Sequence, residues 1–195
     1  MEPSQQGSSR RRLLDVSAQL FRELGFHATS MRDIARAAGM RPASIYHHFD
    51  SKEAILRELM WGFLVELLSN ARDAADRAYN ARGRLGAIMR THIRMHATKA
   101  TLAFVADTEL RALQGSARQE ILMLRDRYEE LLQDVLRQGV EEGSMHLGDI
   151  KLASYQLLAM GTGVVFWWRP EGRLSLEAVV DQYVEAALRM CGAAS

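Results

Sequence analysis

Apolar residues along this chain recur at three- and four-residue spacing, and no stretch alternates in the manner of a strand. Leu14, Ala18 and Phe21 predict a first helix that opens at Arg10–Arg12, runs to about Leu24 and closes at Gly25. The polar, Ser/Gln-rich residues 1–8 before it are expected to be disordered. Thr29 or Ser30 can cap a second helix, with Asp33 three residues past Ser30 as a weaker form of the capping box. Ile34, Ala35 and Ala38 form its inner face, and Gly39 supplies the positive φ that ends it. Pro42 fits the first turn of a third helix, whose Ile45 and Phe49 point inward together. A fourth helix starts at Asp50 or Ser51 and runs through Trp61 and Leu68 to about Arg77. Its length suits a connector that transmits motion. Further helices are expected over 84–98, 101–113, 116–139, 149–168 and 175–190. The stripe Ile121, Leu124, Tyr128, Leu131, Leu132 and Val135 marks the buried side of the 116–139 helix, with Gly139 and Gly143 as its stop. The whole reads as all-α, about nine helices. Residues 1–52 form a helix-turn-helix domain and residues 53–195 a helical bundle for ligand binding and dimerisation.

The segment Leu152–Trp168 is almost wholly apolar, yet it falls short of the ~20 residues that cross a bilayer and is interrupted by Ser154, Gln156 and Thr162. It reads as a helix buried in a core or an oligomer interface, and no membrane association is expected. Gly161 and Gly163 permit close approach of another helix. The last two helices are therefore the expected seam of a homodimer.

Composition sharpens the picture at three points. Hydrophobic residues make up 48% of 195 residues and prolines number three, which suits a packed helical core. The net charge of +1 does not announce a nucleic-acid binder, and the split is mild: residues 1–60 hold nine Lys/Arg against seven Asp/Glu. Any DNA contact therefore rests on local placement of residues rather than bulk charge. The single cysteine, Cys191, cannot form an intrachain disulfide, and the N-terminus has no apolar signal core; a cytoplasmic location is expected.

With Ile45 and Phe49 inward, the third helix turns Ala43, Ser44, His47 and His48 outward, a small, polar face that can lie against a duplex. The runs Gly25-Phe26-His27-Ala28-Thr29-Ser30-Met31-Arg32-Asp33-Ile34-Ala35, Gly39-Met40 and Ser44-Ile45-Tyr46-His47-His48-Phe49-Asp50-Ser51-Lys52-Glu53 resemble the DNA-binding domain of the TetR family of repressors. They cover about a quarter of the chain. The resemblance implies an all-helical homodimer with a divergent ligand-binding C-terminal region, acting on double-stranded operator DNA. Ser30, with the N–H groups that open the second helix, is a candidate phosphate holder. Ser44, Tyr46, His47 and Lys52 are donors suited to phosphates, and the family match implies the same. Arg32 and Arg41 are the candidate base readers, because a guanidinium matches the acceptor pair on guanine, and Ala43 can meet a thymine methyl.

In the larger region, Ala106-Asp107-Thr108-Glu109-Leu110-Arg111-Ala112-Leu113 followed by Arg125-Asp126-Arg127-Tyr128-Glu129 resembles, more loosely, a subset of that family. The subset responds to acyl-coenzyme A thioesters and includes regulators of fatty-acid and sterol breakdown. Such a ligand needs basic groups for phosphates, an aromatic face for adenine and an apolar cavity for the acyl chain. Arg125, Arg169, Trp167 and Trp168 are candidates for the first two, and Met89, Ile93, Phe104 and Met160 for the third. Tyr128 joins them as a polar aromatic. His92 and His96 have a spacing that can chelate a metal, but no Cys or Glu stands at a matching position. They are expected as a histidine pair beside the cavity, with no metal and no cofactor. A helical metal-dependent enzyme lacks any Glu-x-x-His pair or phosphate loop to stand on. A protein-binding adaptor is disfavoured by the donor-rich face of the third helix.

Overall fold

The computed structural model describes the backbone of residues 3–193 and the side chains of residues 8–193. Among them every regular element is helical: α1 (Pro3–Leu24), α2 (Met31–Ala37), α3 (Pro42–Ile45), α4 (Lys52–Asp76), α5 (Ala81–Thr98), α6 (Ala100–Thr108), a 3₁₀ turn (Leu110–Ala112), α7 (Gly115–Glu141), α8 (Ile150–Thr162), α9 (Val164–Trp167) and α10 (Leu176–Met190). The helix expected over 149–168 is interrupted at Gly163, so α8 and α9 counted together give nine. Residues 1–2 of the N-terminal stretch lie outside the described residues. From Pro3 onward the expected disorder is replaced by helix; a proline is tolerated in a first turn, where its missing N–H has no partner to lose.

Local chemistry explains most of the boundaries. Ser30 caps α2 and completes the capping box with Asp33. Gly39, at φ 69, then ends it in a Schellman pair, with Met40 N–H on Ala35 O and Gly39 N–H on Arg36 O. Side chains of Ser51, Asn80, Asp149 and Ser175 cap α4, α5, α8 and α10. One expected stop moves. α7 passes through Gly139 to Glu141 and turns at Gly143, φ 70. A Cβ on Gly139 would stand 2.4 Å from Met145 Sδ, so that glycine serves the packing of the following loop instead.

The molecule is organised around α5, which packs on α4, α7, α8 and α10. α4 packs in turn on α6 and α7, and α1 rests on α2, α4 and α6. The N-terminal helices therefore touch the larger bundle through two elements, α4 and α6. Gly161 is buried where α8 crosses α5, and a Cβ there would meet His92 Cδ2 at 2.6 Å. It belongs to the intrachain packing and is corrected from the dimer seam; Gly163 has only its own helix's carbonyls nearby.

Candidate nucleic-acid interface and effector cavity

The helix-turn-helix presents Arg32, Arg41, Ala43, Tyr46 and His47 to solvent, with Ser44 and His48 half-buried beside them. Ile34, Ala35, Ile45 and Phe49 are buried behind. α3 is one turn long and ends in a run of turns through His48, with Phe49 N–H on Ile45 O at 3.0 Å. That geometry holds Tyr46, 55% exposed, at the outer edge.

Two of the expected phosphate donors are already engaged. The Ser30 hydroxyl donates to Asp33 Oδ2 at 2.5 Å and accepts from Asp33 N–H at 3.2 Å. The hydroxyl and the Ser30 N–H hold the Asp33 carboxyl below its ordinary range. An ionised carboxylate therefore stands over the start of α2, where a phosphate was expected. Lys52 Nζ donates to Phe26 O at 2.6 Å and Thr29 O at 2.7 Å, and lies 4.1 Å from the Phe26 ring centroid. Its ammonium ties the first turn of α4 to the link between α1 and α2. Arg10 is used likewise: it forks onto the Glu58 carboxylate and covers the Phe49 ring at 4.4 Å. Spacing along the sequence carries no sign of these partners, which lie 23 to 48 residues away.

In the larger region, helices α4 to α8 enclose a cavity of about 210 Å³. His92, His96, Arg125 and Tyr128 of the expected set line it. Phe63, Leu64 and Leu67 from α4, Asp107 from α6, Glu129 from α7, and Leu158 and Thr162 from α8 complete the wall. The α4 residues were legible only as a core stripe; nothing in their spacing says that the core is hollow there.

Burial sets the protonation of this site. The His92 and His96 rings stack at 4.0 Å. Burial pushes His92 well below the ordinary imidazole value, with neighbouring His96 adding to the effect, and takes His96 down to about 4. Both are neutral near pH 7. His96 Nδ1–H donates to His92 O at 2.8 Å, which leaves Nε2 as a bare acceptor. His92 Nδ1 lies 3.1 Å from the Tyr128 hydroxyl and Nε2 lies 3.3 Å from Thr162 Oγ1. Both histidines thus spend nitrogens on protein partners, which suits a polar wall better than a chelate. Burial raises the Asp107 carboxyl to about 7 against the opposing charge of Arg125. Arg125 itself donates to Ala106 O from inside the cavity wall.

The other expected ligand residues lie elsewhere. Met89 and Ile93 are fully buried core on α5 and do not line the cavity. Met160 is half-buried in the packing, and Phe104 meets Phe166 at 5.8 Å and Arg22 at 5.4 Å on the side of α6 toward α1. Trp167, Trp168 and Arg169 line a separate surface cleft of about 250 Å³. There Trp167 stacks on Tyr183, Trp168 Nε1–H donates to Leu174 O at 3.2 Å, and Arg169 donates to Trp168 O and Phe166 O. They follow Gly163, where α8 gives way to the short α9.

One surface remains unusually apolar. Leu152, Tyr155 and Phe166 are 56%, 47% and 55% exposed, and with Ala159 and Gly163 they fall on one line along α8 and α9. The outer face of α10 instead carries Asp181, Gln182, Glu185 and Arg189. No helix among the described residues is long and apolar enough to cross a membrane.

Comparison with known proteins agrees with this architecture from end to end. The family described as "Bacterial regulatory proteins, tetR family" matches residues 13–59, and "Tetracyclin repressor-like, C-terminal domain" matches residues 78–191. The HTH-type transcriptional repressor KstR2 of Rhodococcus jostii (strain RHA1) is 37% identical over 187 residues, covering 93% of this chain and 91% of that protein. The structure of the ketosteroid transcriptional regulator KstR2 of Mycobacterium tuberculosis superposes with a TM-score of 0.86 at 31% identity, covering 97% of this chain and 96% of the other. The structure of AibR in complex with isovaleryl coenzyme A and operator DNA gives a TM-score of 0.83 at 27% identity, covering 91% and 97%. A helix-turn-helix with a clear outer face, joined by α4 and α6 to a bundle with a polar-walled cavity, is thus matched in sequence and in fold over nearly the whole length, and the chain belongs to the TetR family of transcriptional regulators.

Proposed function

We propose that this protein is a repressor that binds a palindromic operator as a homodimer and leaves it when a small effector fills the cavity. Residues 1–52 supply the DNA-binding part and residues 53–195 the effector and dimer part. The observation that carries this reading is the shared helix: α4 gives Phe63, Leu64 and Leu67 to the cavity wall and, through Lys52, holds the helix-turn-helix by its backbone. The DNA-bound dimer needs its two reading heads one duplex turn apart, ~34–36 Å. An effector that displaces α4 changes that spacing, and a preference of a few kcal/mol for the displaced state suffices to empty the operator. Arg32, Arg41 and Ala43 face base edges, and Ser44, Tyr46, His47 and His48 face the backbone. The apolar line Leu152–Tyr155–Ala159–Gly163–Phe166 is the dimer seam.

An acyl-CoA thioester is the effector class we favour. AibR is named in complex with isovaleryl coenzyme A, and the KstR2 relative is named a ketosteroid regulator. The cavity of about 210 Å³ is smaller than the ~300–1,000 Å³ of pockets for drug-sized ligands, which suits the acyl end of a thioester. The nucleotide end must remain outside it. Gel shifts of the gene's own upstream DNA, at several salt concentrations and with a panel of acyl-CoA thioesters, test both halves. Salt-sensitive binding released by thioesters but by neither free acids nor CoA is the expected result. Binding without release by any thioester removes the acyl-CoA half; no binding removes the operator reading.

A further inference from the structure

Asp107 presents the one buried side-chain oxygen without a hydrogen-bond partner among the described residues, Oδ2, and it does so in the cavity wall. His96 Nε2 lies 3.8 Å from it, too far for a hydrogen bond. His96 cannot donate in any case, because its one proton is on Nδ1 and goes to His92 O. Once Asp107 is ionised, above about pH 7, two acceptors therefore face the same space with no donor between them. Arg125 reaches the same wall with one N–H directed to Ala106 O and others left over.

The remaining groups restrict what can fill that space. α4 contributes only Phe63, Leu64 and Leu67, and α8 only Leu158 and Thr162. Against the single guanidinium of Arg125 stand two carboxyls, Asp107 and Glu129. Both histidines are uncharged, and Tyr128 keeps its proton because burial raises its pKa. Above about pH 7, where Asp107 is ionised, a carboxylate or phosphate would meet two carboxyls against one guanidinium in a half-closed apolar pocket. A plain hydrocarbon would bury Oδ2 with no donor, leaving the cost of an unsatisfied group in place.

We propose that the buried end of the effector is an uncharged alcohol, its hydroxyl donating to Asp107 Oδ2 and accepting from Arg125. This deepens the reading of the cavity as the effector site and rests on it. The ligand chemistry is a small hydroxylated ring or branched acyl group, matched to a space of about 210 Å³. Hydroxylation ordinarily weakens entry into an apolar pocket, so a preference for the alcohol carries the signature of Asp107.

The test uses the full chain and matched probes: cyclohexanecarbonyl-CoA against its 3- and 4-hydroxy forms, and methylcyclohexane against 3- and 4-methylcyclohexanol. Binding is followed by titration calorimetry and operator release by fluorescence anisotropy, both at about pH 8, where Asp107 is ionised. At least one hydroxylated probe should bind wild-type protein roughly ten- to a hundredfold more tightly than its parent, the range of one hydrogen bond to a charged group. In Asp107→Leu the preference should vanish or invert. Asp107→Asn, which keeps the shape should the leucine variant unfold, should reduce it. Equal or tighter binding of the parents by wild-type protein overturns the proposal, and so does failure of every probe to bind. Operator release by parent and hydroxylated thioesters at equal concentration keeps the effector reading and rejects the alcohol. An Asp107-dependent preference without release of the operator supports the alcohol site and rejects its role as effector site.

Discussion

Replacing Lys52 by Met separates two roles that give the same first impression in a binding assay. The substitution keeps an unbranched apolar stem but removes the bonds to Phe26 O and Thr29 O and the charge over the Phe26 ring. A hydrogen bond to a charged group contributes ~1.5–3 kcal/mol, and an exposed cation–π contact ~0.5–1 kcal/mol. Lys52 is only half-buried, and water can take over part of the work at both carbonyls. A net destabilisation of roughly 2–4 kcal/mol follows. Phe26 packs on Phe21 at 5.3 Å, so the loosened link reaches the core of the N-terminal helices. Lys52→Met should therefore lower the midpoint of denaturant unfolding and weaken operator binding together. The salt dependence distinguishes the cause. A lost phosphate contact flattens the slope of log affinity against log salt by ~0.9 per site, or ~1.8 for a dimer. A lost internal clamp leaves the slope unchanged. A flattened slope with unaltered stability would refute the clamp and return Lys52 to the DNA backbone.

Four further outcomes are expected. Gly161→Ala drives a methyl to 2.6 Å from His92 Cδ2 and should cost ~1–3 kcal/mol by overpacking, read as a lower unfolding midpoint; an unchanged midpoint would mean that α8 and α5 are not in close contact. Gly163→Arg places a charge on the apolar line of α8 and α9 and should give monomers by analytical ultracentrifugation, with operator binding lost; a dimer of normal affinity puts the seam elsewhere. Arg32→Ala should relax preference at one base pair of each half-site, costing ~1–3 kcal/mol on the preferred operator, whereas equal loss on every sequence assigns Arg32 to the backbone. The last concerns pH. Asp107 titrates near 7 when folded and near 3.8 when unfolded, so the folded chain holds the extra proton between those values. Its contribution to stability is complete below pH 4 and is lost as pH rises to about 7. His96, lowered to about 4, works in the opposite sense and gains stability from pH 4 to 6.5. Asp107→Asn removes the falling part, so stability of the variant should climb more steeply than wild type between pH 4.5 and 6.5, by about 1.4 kcal/mol per unit. Unfolding curves at one protomer concentration check this, and parallel profiles count against a buried, proton-holding Asp107.

Much of this protein was determined by its sequence, because much of it is set within a few residues. The cap at Ser30, the positive φ at Gly39, the proline that opens α3 and the stripe Ile121–Val135 are local instructions, and each is met within one or two helical turns. The outer face of the helix-turn-helix was legible for the same reason: inward Ile45 and Phe49 leave Ala43 and His47 outward whatever surrounds the helix. Helical spacing says which residues share a face and is silent about what that face meets. Only the tertiary structure decided that Lys52 reaches back to Phe26 and Thr29 and that Arg10 goes to Glu58. Likewise His92 and His96 reach the cavity while Met89 and Ile93, on the same helix, are packed in the core. The tryptophans line a cleft of their own. Whether a buried position is packed or hollow depends on how several helices cross, and that is a property of side chains far apart in the chain.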